Sequence, residues 1–304
     1  MSQRPHGGSA RAIFYAFLAN GGIAIAKLVV AWITGSGSML AEAIHSVADS
    51  GNQVLLFLGL KQSTRPPDAL HPLGYGKLGY FWSFIVALML FSLGGVFSIY
   101  AGIHKFNHPE PLAEIWMAIV VLFIALALES FSLRGCVREI NLIRAERSFR
   151  SWFTHTRNSE LVVVLGEDVA ALLGLVLALT FISIAAVTGN TVYDAIGSMC
   201  IGIVLIVVSV FLTWRVGSLL VGRSADPLIR QAIGEVIGER DDIEKVFNVI
   251  TMQMGPDTML AAKIKLRSGI DIEAAVDNIN DLERQLRERI PTLRWCFIEP
   301  DVED

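Results

Sequence analysis

The chain has 304 residues, 53% of them hydrophobic and only 18% charged, with a mean hydropathy of +0.53. That excess of apolar residues is beyond an ordinary soluble domain. The formal net charge of −4 argues against a nucleic-acid partner, and three scattered cysteines with no CxxC pair exclude a disulfide framework or a thiolate zinc finger. Charge is sparse before Val221 and dense after it, so residues 1–221 read as a membrane domain and 222–304 as a soluble one. The N-terminus has no apolar core followed by a small-residue cleavage site, and no signal peptide is expected.

The first apolar run, about Ala12 to Ile33, is long enough to cross a hydrocarbon core of roughly 30 Å. It carries Asn20, a packing residue, and Lys27, which can snorkel or pair with an acidic neighbour. After the turn GSGS comes the second run, Ala41 to Leu60, AEAIHSVADSGNQVLLFLGL. His45, Asp49 and Asn52 fall at i, i+4 and i+7, so they share one helix face at membrane depth, with Glu42 one turn earlier. Ionisable groups there cost several kcal/mol unless they face a cavity, a partner or an ion. Two readings follow: a buried polar pair joining two helices, or a metal site, since His and Asp suit zinc and other late divalent metals.

The linker KQSTRPPDALHPLGYGK then forbids a continuous helix through its prolines and glycines. Third to sixth spans are expected at about Leu78 to Ile103, Leu112 to Leu133, Glu160 to Val187 and Val192 to Leu220. Glu129 lies near one end of the fourth, and the basic stretch Arg134 to Arg157 follows it. The arginines and lysines of the N-terminus (Arg4, Arg11), of the second-to-third linker (Lys61, Arg65, Lys77), of Arg134 to Arg157 and of the tail lie on one side. The opposite loops carry only Lys105. By the positive-inside rule both termini are cytoplasmic, as six spans require.

Beyond Gly222 the pattern becomes helix (Asp226 to Arg240), strand (Val246 to Met254), strand (Met259 to Leu266), helix (Asp271 to Arg289), strand (Trp295 to Ile298). This is a small α+β unit with a sheet covered on one face, of a size that gains stability by pairing with a second copy.

Taken with the motifs AEAIHSVADSGNQ, DALHPLGYGK, YDAIGSMCIGIVL, MGP and the terminal IEP, the chain resembles the cation diffusion facilitators, which export divalent metals. The resemblance covers nearly everything after residue 10. It implies an α-helical membrane protein with six transmembrane helices and a cytoplasmic α+β ferredoxin-like dimerisation domain. It also implies a homodimer that exchanges metal for protons across the lipid bilayer, and no enzyme activity. The metal site would join His45 and Asp49 of the second span to the fifth span. There the family's His-x-x-x-Asp is replaced: Asp168 holds the Asp position, Val164 stands where the His belongs, and Glu167 adjoins Asp168.

This Glu-Asp form is similar to the branch that contains the mitochondrial member of the animal zinc transporters. Zinc (Zn2+) is the expected cargo, and the harder carboxylate set also admits Mn2+, Fe2+ or Co2+. Asp168 is favoured as ligand, with Glu167 close behind. In the linker, Asp68 and His71 match two members of a further family site whose third position is Tyr75 here. The tail has no histidine, and Cys296, Glu299 and Asp301 read as packing and solvated charge. No GxxxxGK[ST] motif supports an ATP-driven pump. The rival readings are a transport-dead scaffold, motivated by Val164, and a passive channel. The short N-terminus points to a bacterial inner membrane.

Overall fold

The computed structural model describes residues 21–109, 111–144 and 146–303. The N-terminal half of the first expected span, with Asn20, and the basic residues Arg4 and Arg11 lie outside them. Two compact units emerge. One comprises Met1–Leu58, Trp82–Ala145 and Glu160–Arg215, the other Gly59–Phe81, Glu146–Ser159 and Val216–Asp304.

The first unit is a helical membrane domain. Helix α1 is described over Gly21–Thr34 and α2 runs over Gly37–Ser63. Helix α3 (Leu78–Asn107), α4 (Ile115–Ile143), α6 (Ser159–Thr188) and α7 (Val192–Val221) are each long and apolar enough to cross a membrane, with hydropathies of 2.2 to 2.7. The short α5 (Phe149–His155), which follows α4 and precedes α6 in sequence, belongs to the second unit.

The expected end of the fourth span at Leu133 is corrected. Helix α4 continues ten residues further, to Ile143, because Cys136 and Ile140 extend its buried face one turn at a time past Arg134. Glu129 therefore sits mid-helix and not near an end.

Small residues let α3 and α7 meet closely. A Cβ added to Gly202 would stand 2.7 Å from the Gly95 carbonyl, and one on Gly102 would stand 2.8 Å from that of Ala195. Ser198 adds a hydroxyl bond to the Ser98 carbonyl at 2.8 Å. Gly95 belongs to a π-helical stretch, Leu90–Val96, inside α3.

The α1–α2 turn is fixed by Asp194 in the first turn of α7. Gly35 ends α1 with φ of 63°, the left-handed conformation glycine tolerates. Ser36 caps α2, accepting from the Met39 amide at 3.1 Å while its hydroxyl donates to Asp194 at 2.7 Å. Asp194 also accepts from the amides of Gly37 (2.6 Å) and Ser38 (3.2 Å), and it pairs with Lys105 at 2.9 Å.

The second unit gathers both linkers around a small sheet. Helix α8 (Pro227–Gly238) starts with Asp226 accepting from the Leu228 amide and Pro227 in the first turn. Strands β1 (Ile243–Met254) and β2 (Asp257–Leu266) pair antiparallel, and β3 (Leu293–Pro300) joins β2 in parallel, giving the order β1-β2-β3. The parallel step is made by α9 (Ile272–Arg289), capped by Asp271. Ile233, Ile237, Leu282 and Leu286 of the helices cover Leu260, Ile264 and Cys296 of the sheet. The Cys296 thiol is pushed up to about 11 by that burial, as a packing residue would be.

The linkers dock on this unit through backbone. Gly76 and Gly255 approach so closely that a Cβ on either would overlap the main chain opposite, and Tyr80 donates to the Gly255 carbonyl at 3.0 Å. Arg157 donates to the carbonyls of Ser224 and Ala225, and Arg147 pairs with Asp226 at 2.7 Å.

Candidate metal site

The polar stripe of α2 faces the interior of the helical unit. Glu42, His45 and Asn52 are buried, and each meets a different environment. Lys27 of α1 pairs with Glu42 at 3.2 Å and donates to Ser46 at 2.7 Å, so its buried ammonium beside the stripe is neutralised. Helix α6 comes against α2 at Gly174, where a Cβ would collide with the Glu42 carboxylate. One turn further along the stripe, His45 Nε2 lies 3.4 Å from Asp49 Oδ2. Asn52 then donates to Glu167 Oε1 at 2.6 Å.

Asp49, Glu129, Glu167 and Asp168 line one cavity of about 90 Å³, with Ile23, Ser46, Gln53, Ser132 and Val164 completing its polar and apolar walls. Four carboxyl side chains thus share a small space whose lining includes no lysine or arginine. Asp168 accepts from Ser132 at 3.2 Å through one oxygen, and its other oxygen has no hydrogen-bond partner. Asp49 Oδ1, Asn52 Oδ1 and both ring nitrogens of His45 are likewise unpartnered. A buried polar group left unsatisfied costs about 1–3 kcal/mol. Several together mark a place where stability is given up for a ligand.

The residues expected from the sequence divide accordingly. Asp49, Asp168 and Glu167 are brought together on the cavity, whereas His45 abuts Asp49 from the buried side and does not line it. Glu167 and Asp168 both reach the cavity although consecutive helix positions diverge by about 100°, because it lies at the corner where α2, α4 and α6 meet. Among the described residues no three of His, Cys, Asp and Glu close to a spacing that would hold an ion. The arrangement is an acidic chamber beside an unpartnered imidazole, short of a completed coordination shell.

Glu129 was the missed member. Its signal, a carboxylate in an apolar run, was present in the sequence, but the shorter helix placed it at the membrane edge. Asp68 and His71 form a linker turn instead of converging with other donors. Asp68 accepts from the amides of Leu70 and His71 and from the Tyr75 hydroxyl at 2.6 Å. That phenol bond, together with the two amides, holds Asp68 below the usual carboxylate range, and it raises Tyr75.

An apolar helical unit with an acidic chamber is the setting in which residues 13–221 match the cation efflux transmembrane domain. The chain belongs to the cation efflux family. This cation efflux chain is 34% identical over 281 residues to the proton-coupled zinc antiporter SLC30A9, mitochondrial, of Xenopus laevis, covering 91% of the chain and 49% of that relative. The Homo sapiens protein of that name is 33% identical over 259 residues, covering 84% and 45%. Metal tolerance protein C4 of Arabidopsis thaliana is 31% identical over 282 residues, covering 92% and 61%. The chain spans about half the length of the first two relatives. Family membership and four apolar spans among the described residues make this a multi-pass membrane protein of a transporter family.

Proposed function

We propose that this cation efflux protein exports a divalent metal, zinc above others, in exchange for protons. The observation that carries the reading is the chamber itself: unpartnered carboxylate oxygens, with no lysine or arginine lining them, beside the His45 imidazole that abuts Asp49, inside a cation efflux domain. Asp49 and Asp168 are the direct ligands, His45 swings in from its place beside Asp49, and Glu167 is held by Asn52 as the reserve carboxylate. Zinc takes such N and O donors at about 2.0–2.2 Å, so the helices must draw closer for the shell to close. The names of the antiporter relatives support zinc and proton coupling.

Exchange follows from shared ligands. Metal requires neutral imidazole and ionised carboxylates, so binding releases protons and protonation expels metal. Rocking of α1, α2, α4 and α6 around the chamber would expose it to one side and then the other. The full architecture on this reading is six spans, with α1 and α2 the first two and both termini cytoplasmic. The domain boundary falls at residues 221 and 222, the tail is ferredoxin-like, and two copies pair as a homodimer. The weak linker pair Asp68 and His71 is not required. A bacterial inner membrane, expected from the sequence, finds no support in relatives whose names place them in mitochondria.

Val164 on the chamber wall, together with the extra carboxylate of Glu129, favours a second cargo class, since oxygen-rich sites suit manganese, iron or cobalt. Metal uptake into proteoliposomes under an imposed pH gradient, with zinc, manganese, iron and cobalt in turn, ranks the cargoes. Zinc uptake that collapses with the gradient supports antiport. Uptake indifferent to it means a channel, and no uptake of any metal means a transport-dead scaffold.

A further inference from the structure

A second hollow, of about 690 Å³, is walled by α1, the α1–α2 turn and the last turns of α3. Trp32, Gly35, Tyr100, His104, Lys105 and His108 are among its lining residues. Tyr100, His104 and His108 recur at four-residue intervals, so they make one stripe along α3 and past its end, facing the hollow. The two imidazoles stack with ring centroids 5.0 Å apart and planes at 29°, and the Tyr100 ring lies 6.4 Å from that of His104. Both histidines are exposed.

Two details set their chemistry. His108 Nδ1 lies 3.3 Å from the His104 carbonyl oxygen. A carbonyl can only accept, so in that bond Nδ1 carries the proton and Nε2 keeps its lone pair. Lys105, between them in sequence, does not compete with a bound cation. Its ammonium is buried against Asp194 at 2.9 Å and also donates to the Gly35 carbonyl.

We propose that His104 and His108 form a divalent transition-metal site separate from the acidic chamber. His104 in the last turn of α3 and His108 just past its end hold their imidazoles side by side, the kind of neighbouring nitrogen donors that zinc takes. Tetrahedral zinc with Zn–N near 2.0–2.1 Å needs the two nitrogens about 3.3 Å apart, and exposed side chains reach that by turning between rotamers. Water completes the shell. Imidazole selects zinc, copper and nickel over magnesium and calcium, so the pair ignores the abundant hard cations. Two ligands give weak, readily exchanged binding. That suits a station where exported metal leaves α3, a placement that rests on the transport reading, whereas the binding does not.

The test is equilibrium dialysis of the full chain in detergent against zinc, with metal counted per protomer, in wild type and in Asp49→Ala, His104→Ala, His108→Ala and His108→Gln. Two classes of site are expected. Each histidine variant weakens the weaker class by about tenfold or more, since one of two linked ligands is gone, and leaves the tighter class intact. Asp49→Ala removes only the tighter class. His108→Gln keeps a polar side chain at the helix end and must still lose the weaker class. A weaker class unchanged in all three histidine variants, or displaced equally well by calcium, overturns the proposal. If Asp49→Ala leaves both classes intact, the chamber reading fails while the histidine pair stands.

Discussion

Two buried acidic groups in the same helical unit meet opposite fates. Asp194 has every polar contact filled: a hydroxyl, two backbone amides and the Lys105 ammonium. The chamber carboxylates have none to spare for one another, and Asp49 and Asp168 each keep an oxygen with no partner. Asp194 and Asp168 are both buried aspartates, so between these two the difference lies in satisfaction. A fully bonded carboxylate fixes a turn, and a half-bonded one awaits a ligand.

The contrast breaks most sharply under substitution. Asp49→Ala is expected to cut metal-driven proton flux roughly 100-fold or more, as loss of a metal ligand should, while leaving the thermal midpoint unchanged or raised. Asp194→Ala should do the reverse. It strands Lys105 as a buried unpaired charge and is expected to cost about 3–5 kcal/mol in denaturant unfolding. The double change Asp194→Ala with Lys105→Met should recover much of that loss. Gly202→Val, which forces a side chain against the Gly95 carbonyl, should cost about 1–3 kcal/mol by overpacking.

Smaller effects lie in the second unit. Asp226 both caps α8 and pairs with Arg147, so Asp226→Ala should weaken the first turn of α8 by about 1 kcal/mol, seen as faster amide exchange there. The least is expected at Asp68, whose pKa is lowered, first by the Tyr75 bond. A lowered folded value means its contribution is present above the ordinary carboxylate range and is lost as pH falls through the folded value. In Tyr75→Phe the Asp68 titration, followed by carboxyl NMR, should move back toward the ordinary value.

Much of this was readable from the residues. Apolar runs located the four long apolar helices α3, α4, α6 and α7 because a bilayer demands continuous hydropathy, and the tail strands showed their period and turns. The stripe His45, Asp49, Asn52 was visible because helix periodicity alone puts it on one face. What escaped needed tertiary neighbours. The length of α4 depended on Cys136 and Ile140 finding a buried face, and that Glu129 lines the chamber depends on how α4 packs there. That Glu167 and Asp168 both line the chamber depends on which helices meet at that corner. The linker sequence, kept from a continuous helix by its glycines and prolines, gave no sign that Gly76 would lie against Gly255.

The central claim is that the unsatisfied chamber is where the cation sits. It is tested most directly by zinc-stimulated proton flux in proteoliposomes for wild type, Asp49→Asn, Asp168→Asn and Asp194→Asn, each checked for equal incorporation. Flux lost in the two chamber variants and retained by whatever Asp194→Asn protein remains folded is the predicted result. Wild-type flux from Asp49→Asn and Asp168→Asn would contradict it.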